Sequence, residues 1–267
     1  MNNQSTLEQL ESIITDAACA ELLPRFRQIE RHFKADGSVV TEADHAMQQR
    51  LMTELQRYWP TIPLLGEEMS EAEQLALMKK SQQGLWVLDP LDGTSNFAAG
   101  IPCFAVSLAL IINGEVQLGL IYDPIRLECF SAIAGKGGWL NGELLHAEGS
   151  ELPLSKCIAQ IDFKRLPAEM AASIASHPPY SSQRSFGSGA LDWCWLAAGR
   201  VHLYLHGKQK LWDYSAGQLI LQEAGGHSCT LEDEAVFQGK LESRSVIAAL
   251  QLKHFEEWRR YVLKENK

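Results

Sequence analysis

The chain has 267 residues, 46% hydrophobic and 21% charged, with a formal net charge of −9 and a pI near 5.4. This is a soluble globular composition with apolar content for one large core or two smaller ones, and it excludes a chain dominated by disorder. The acidic balance argues against a general binder of nucleic acid or of anionic membranes, since either needs a basic face.

Cys19, Cys103, Cys129, Cys157, Cys194 and Cys229 are scattered, with no CxxC pair. That fits reduced thiols in a cytosolic protein and gives structural zinc no support. The first residues, MNNQSTLEQLESI, lack the basic and apolar blocks of a secretory signal, and the longest apolar run, near Phe104 to Ile112, is too short to span a membrane.

Ser5 to about His32 reads as a helix, opened by a capping box of Ser5 with Glu8 and kinked or divided at Pro24. Leu7, Leu10, Ile13, Ile14, Ala17 and Ala18 mark its apolar face. The polar stretch Lys34 to Ser38 reads as a loop. Thr41 then opens a second helix through its spacing to Asp44, continued by Met47, Leu51 and Leu55. Locally, Asp44 is a helix-cap carboxylate. A short apolar run, Leu64, Leu65 and Gly66, ends in Glu67 and Glu68, and Glu71 to Lys80 forms a short polar helix or lid.

The stretch Gly84 to Asn96, GLWVLDPLDGTSN, organises the rest. Its apolar, β-prone start stops at Asp89, and Pro90 biases Asp89 toward an extended conformation at the strand's carboxyl end. Asp92 follows, Gly93 permits a tight turn, and Thr94, Ser95 and Asn96 open a helix whose free N–H groups gather there. Two carboxylates beside N–H donors describe a cation site next to an anion site, which Mg²⁺ and a phosphate fit. DPxDG is also ordinary turn chemistry.

Phe104 to Ile112 and Glu115 to Tyr122 are strands joined by a hairpin at Asn113 and Gly114, Leu127 to Ala134 is a third strand, and the glycines from Gly135 to Gly142 make turns. An antiparallel sheet with helices on one side is expected, then a soft boundary near Glu148 to Pro153. The second half alternates: a strand Ile158 to Phe163, a helix from Pro167 to Ser176, a helix Ala190 to Ala198 and a strand Val201 to Leu205. A helix carrying Asp213 near its start follows, then strands near His227 and Ser245 to Leu250, and a final helix from Lys253.

Three acids at element boundaries, in GEE, WVLDPLDGTSNF and WDYSAGQLILQEAGG, with VTEAD at Val40 to Asp44, occur together from Lys34 to Gly226. On these motifs the chain resembles the inositol monophosphatase family of Mg²⁺-dependent, lithium-sensitive phosphatases, which includes bisphosphate nucleotidases and fructose-1,6-bisphosphatases. The resemblance implies a mixed α/β, layered αβαβα sugar-phosphatase fold: an α+β lobe over 1–150, an α/β lobe over 151–267, and the active site between them. It implies two or three Mg²⁺ ions held by Glu67, Asp89, Asp92 and Asp213 with the Leu91 carbonyl, water activation by Glu67 and Thr94 with Asp44, and phosphate binding at Gly93 and Thr94.

By the same resemblance Leu91, Asp92, Gly187, Ser188, Gly189 and Asp213 line the substrate, with Lys164 and Arg184 further out. The family's animal inositol phosphatases carry an acid seven residues before Asp213, where this chain has His206. That departure sets strict inositol recognition in doubt, and His206 reads equally as a packed or surface histidine. Lys208 and Lys210, and Lys164 with Arg165, are positioned for a second phosphate or simply for solvent. The expected activity is hydrolysis of a small phosphorylated alcohol, inositol monophosphate by resemblance, with a 3′(2′),5′-bisphosphate nucleotidase or another sugar-phosphate phosphatase as the alternative. The alternative of another class is a non-catalytic or moonlighting protein acting in transcription or ribosome assembly. A cytoplasmic homodimer, with neither nucleic acid nor membrane as partner, completes the expectation.

Overall fold

The computed structural model describes residues 3–26, 32–33, 39–146 and 152–265. In chain order come α1 (Asn3–Glu21), the short pair β1 (His32–Phe33) and β2 (Val39–Val40), α2 (Glu42–Tyr58), β3 (Leu64–Gly66), α3 (Glu71–Met78), β4 (Leu85–Asp92) and α4 (Thr94–Ala99). Five strands follow: β5 (Ala105–Ile112), β6 (Glu115–Asp123), β7 (Glu128–Ile133), β8 (Gly137–Leu140) and β9 (Glu143–Leu144). The second half adds β10 (Ile158–Asp162), α5 (Ala168–Ser176), β11 (Ser182–Arg184), α6 (Gly189–Ala197), β12 (Leu203–Gln209), α7 (Leu211–Glu223), β13 (His227–Cys229), β14 (Arg244–Ala249) and α8 (Leu252–Glu265).

A seven-stranded sheet runs in order β3-β4-β5-β6-β7-β8-β9, parallel only between β3 and β4. A five-stranded sheet, β11-β10-β12-β14-β13, is parallel across its first three strands. The apolar run of β4 is continuous because both faces are covered: Trp86 and Leu88 pack under α1 and α2 with Leu10, Ile14, Met47 and Leu51, while Leu85 and Val87 face Trp193, Tyr214 and Ile220 of α6 and α7. The middle layer of α6 and α7 also meets the second sheet through Tyr204, Val246 and Ala248. Its two helices approach closely at Gly217, where a Cβ would lie 2.4 Å from that of Trp193. Beyond the second sheet, α5 and α8 close the stack with Ile174, Trp258 and Val262. The result is the layered αβαβα arrangement, built around three apolar cores.

Several expected elements differ. The first helix starts at Asn3, so Ser5 and Glu8 lie inside it rather than capping it, and it ends at Glu21 with turns through Pro24, whose ring cannot continue a helix. Residues 27–31, the loop expected over Lys34 to Ser38 and most of the boundary expected at Glu148 to Pro153 lie outside the described residues. The central strand runs on past Asp89 to Asp92, and Pro90 is accommodated in a register shift against β5. The segment Gly135 to Gly142 read as turns contains β8, with β9 directly after it, and the large sheet carries helices on both faces rather than one. The short polar edge strand β11 was not anticipated. All six cysteines are unpaired, and among the described residues no helix is long and apolar enough to cross a membrane.

Candidate active site

The carboxyl ends of β3 and β4 meet the first turn of α7. One oxygen from each of Asp89, Asp92 and Asp213 lies within 4.8 Å of the others. Asp89 accepts the Leu91 N–H at 3.0 Å and Asp213 the Lys210 N–H at 2.8 Å, each on a single oxygen. Asp92 takes the Ala190 N–H at 2.9 Å and the Ser188 hydroxyl on one oxygen. Glu67 follows β3 by one residue, and continuing the Gly66 to Leu88 register one step places it beside Asp89.

These acids strain against one another. Burial, then the charges of Glu67, Asp92 and Asp213, push the Asp89 carboxyl well above its usual range. Burial, then Asp92 and Glu67, do the same to Asp213. Burial lifts Asp92 to about 6, even though Ser188 and Ala190 donate to its ionised form. A cluster of hard oxygen donors whose charges cannot coexist comfortably without a cation fits Mg²⁺ in donor type and sign.

Asp44 is a helix-cap carboxylate and a partner of Thr94 at once. Its Oδ2 accepts the N–H and hydroxyl of Thr41, each at 2.7 Å, closing the capping box of α2. Its Oδ1 lies 3.0 Å from Thr94 Oγ1, which is also 2.9 Å from the Leu91 carbonyl. Burial raises the Asp44 carboxyl against those hydrogen bonds. The Leu91 oxygen keeps a second lone pair beyond the one facing Thr94.

Gly93 turns the chain between Asp92 and Thr94 at φ 89°, and a Cβ there would lie 2.9 Å from the Cys103 carbonyl oxygen. Gly187, at φ 76°, precedes the Ser188 and Gly189 pair that opens α6 over Asp92. Ser188 is fully buried, its hydroxyl committed to Asp92. Asn96, which reads locally as a helix opener, instead ties the two loops together by donating to Cys103 O at 2.8 Å and Phe186 O at 2.7 Å. Nothing near Asn96 in sequence signals a partner 90 residues away.

The parallel pairing of β10 with β12 ends at Asp162 and His206, and with Arg184 at the end of β11 these form a second rim. Asp162 stands opposite His206, with His206 Nε2 3.4 Å from Asp162 Oδ2, while His206 Nδ1 accepts the Lys208 N–H at 3.1 Å. Both ring nitrogens are therefore occupied, and the His206 bond holds Asp162 below its usual range. Lys164 caps onto Asp162 through its own N–H, and Arg184 is exposed, its guanidinium donating to Ser182 and to a neighbouring carbonyl. Among the described residues Lys164, Arg165 and Lys208 make no salt bridge. Behind the rim, Gln160 donates to Asp192 at 2.8 Å, a buried pair whose polar residues gave no sequence signal of their own.

The family model for the inositol monophosphatase family matches residues 2–265. The chain belongs to that family. Among its relatives, inositol monophosphatase 1 of Solanum lycopersicum is 34% identical over 236 residues, covering 85% of this chain and 86% of that protein. The Nus factor SuhB of Pasteurella multocida is 35% identical over 205 residues, 75% of each chain. In structure, a Thermotoga maritima IMPase superposes with a TM-score of 0.82 at 26% identity, covering 98% of this chain and 100% of that one. The extragenic suppressor protein suhB of Bartonella henselae gives 0.82 at 27% identity over 99% of both. The acids of this family member therefore stand within a fold shared along nearly its whole length.

Proposed function

We propose that this protein is a Mg²⁺-dependent phosphomonoesterase acting on a small phosphorylated alcohol of the inositol monophosphate type. The observation that carries the reading is the triad of Asp89, Asp92 and Asp213 within 4.8 Å, with Glu67 and the Thr94 to Asp44 pair alongside. Glu67, Asp89, Asp92, Asp213 and the Leu91 carbonyl would hold two or three Mg²⁺ ions. When bound, Mg²⁺ supplies charge neutralisation of the phosphoryl oxygens and a lowered pKa for an attacking water.

The chain's own groups do the rest. Thr94 Oγ1 orients the water and passes a proton toward Asp44, which burial makes a stronger base than an ordinary carboxylate. Glu67 takes part in the same activation from the opposite strand. The N–H groups of Gly93 and Thr94 bind the phosphate, and Asp92, steadied by Ser188 and Ala190, keeps the leaving-oxygen side in place. Inhibition by Li⁺, a cytoplasmic location and a homodimeric state belong to this same reading.

A second reading has a specific observation behind it. His206 has both nitrogens occupied by Asp162 and Lys208, while Lys164, Arg165 and Lys208 have no salt bridge among the described residues. A rim whose uncommitted side chains are cations favours a substrate with a further anionic group, as in a nucleoside or sugar bisphosphate. Similarity to Nus factor SuhB proteins supports a third role, through partners in transcription, that can coexist with catalysis. Phosphate release with Mg²⁺ from inositol 1-phosphate, adenosine 3′,5′-bisphosphate, fructose 1,6-bisphosphate and glycerol 2-phosphate decides between the first two. Preference for inositol 1-phosphate supports the first, preference for a bisphosphate the second. No release from any of them removes the enzymatic reading and leaves the partner role.

A further inference from the structure

Glu67 stands outside the tight triad, and its own strand does not hold it alone. Five polar backbone groups of the Glu67 turn have partners. Gly66 N–H donates to Met69 Sδ at 3.4 Å, Glu67 N–H to Leu88 O at 3.1 Å, and Glu68 N–H to Gln48 Oε1 at 3.2 Å. The two carbonyls of Gly66 and Glu67 accept from the single amide nitrogen of Gln74, at 3.0 and 3.2 Å. Two side-chain amides, one from α2 and one from α3, thus bracket the peptide that carries the carboxylate.

Both amides are placed for that purpose. Gln74 is the one buried residue of α3, which also rests Leu77 and Met78, half-buried, against the core, so the helix docks by a buried amide as well as by apolar contact. Gln48 reaches the turn because residue 66 is glycine: a Cβ there would lie 2.2 Å from Gln48 Oε1. Neither amide is in the triad.

We infer that Gln74 and Gln48 are positioning residues that set the Glu67 carboxylate against Asp89, and that α3, through Gln74, governs the cation place that Glu67 serves. The inference rests on the Mg²⁺ phosphatase reading. It divides the acids into a triad held by β4 and α7 and a fourth ligand held by α2 and α3. Loss of the bracket loosens only the fourth. Groups that orient a metal ligand typically contribute about 10- to 100-fold in metal affinity, which sets the size expected here.

The test is a Mn²⁺ titration, followed by electron paramagnetic resonance of free Mn²⁺, on wild type, Gln74→Met, Gln74→Asn, Gln48→Met and the exposed-face control Leu75→Ala. Methionine keeps the length of Gln74 without its donors, and asparagine keeps an amide too short to span both carbonyls, which covers the case in which one variant folds poorly. The expected result is that Gln74→Met and Gln48→Met weaken one class of bound Mn²⁺ about 10-fold or more. The other class and the Leu75→Ala control stay as in wild type, and activity returns at high Mn²⁺. Wild-type isotherms in all three amide variants would overturn the positioning role while leaving the phosphatase reading intact. Equal weakening of both classes would overturn the division of the ligands. Wild type taking up no Mn²⁺ would overturn both the inference and the reading beneath it.

Discussion

Replacing Gly93 by alanine tests the turn that joins the acid cluster to the Thr94 helix. The residue has φ 89°, and an added Cβ would meet Cys103 O at 2.9 Å, Gly187 O at 3.3 Å and Phe104 Cα at 3.3 Å. A non-glycine side chain in the left-handed region costs roughly 1–2 kcal/mol by itself. The contacts are all backbone, so relief requires one strand or loop to move, and the total should reach roughly 2–4 kcal/mol. At about 2 °C per kcal/mol for a chain of this size, the melting temperature should fall by roughly 4–8 °C.

Gly142→Ala is the matched control, because φ is 83° there but nothing lies within 4 Å of the added Cβ. It should show only the conformational cost, roughly 2–4 °C. Differential scanning calorimetry without metal measures both. Phosphate release with Mg²⁺ should fall about 100-fold for Gly93→Ala, since Asp92 and Thr94 flank the shifted residue, and stay unchanged for Gly142→Ala. Equal melting shifts for the two variants, or near-wild-type turnover by Gly93→Ala, would refute the reasoning.

The pH dependence of the metal-free protein follows from Asp92. Its folded-state carboxyl is raised from 3.8 to about 6, so the cost of ionising it is absent below the first value and complete above the second. In EDTA at pH 7.5, Asp92→Asn should therefore be more stable than wild type by on the order of 2 kcal/mol after allowing for partial exposure, with the gap closing toward pH 4. Saturating Mg²⁺ should reverse the order. A gap independent of pH in denaturant melts would contradict this. Asn96→Ala removes two donors from the Cys103 and Phe186 carbonyls. It should cost roughly 1–3 kcal/mol and raise KM more than it lowers kcat, because it frees the Gly187 loop rather than the ligands. A fall in kcat alone, in steady-state kinetics, would count against that assignment.

What the sequence made legible was local. Asp89 ends a run of apolar residues and Asp213 opens a helix, so each acid announces its place through its immediate neighbours, and Thr41 with Asp44 is a capping box readable at a spacing of three. The link from Asp44 to Thr94 spans 50 residues and came only from family resemblance. The run LWVL carries no polar alternation, and burial of β4 on both faces is what such a run signals, although one covered face was expected. The strands β8 and β9 hid in GKGGWLNGEL because their glycines are turn formers taken one by one. Gln74 and Asn96 left no pattern, since their roles depend on carbonyls that only the tertiary fold brings near.

The most direct test of the central claim is phosphate release from inositol 1-phosphate and adenosine 3′,5′-bisphosphate by wild type and Asp89→Asn, with Mg²⁺ and with EDTA. The proposed function predicts turnover of at least one substrate by wild type with Mg²⁺, none with EDTA, and a loss of at least about 100-fold in Asp89→Asn that added Mg²⁺ does not restore. Turnover that survives EDTA, or an Asp89→Asn variant as active as wild type, would contradict it.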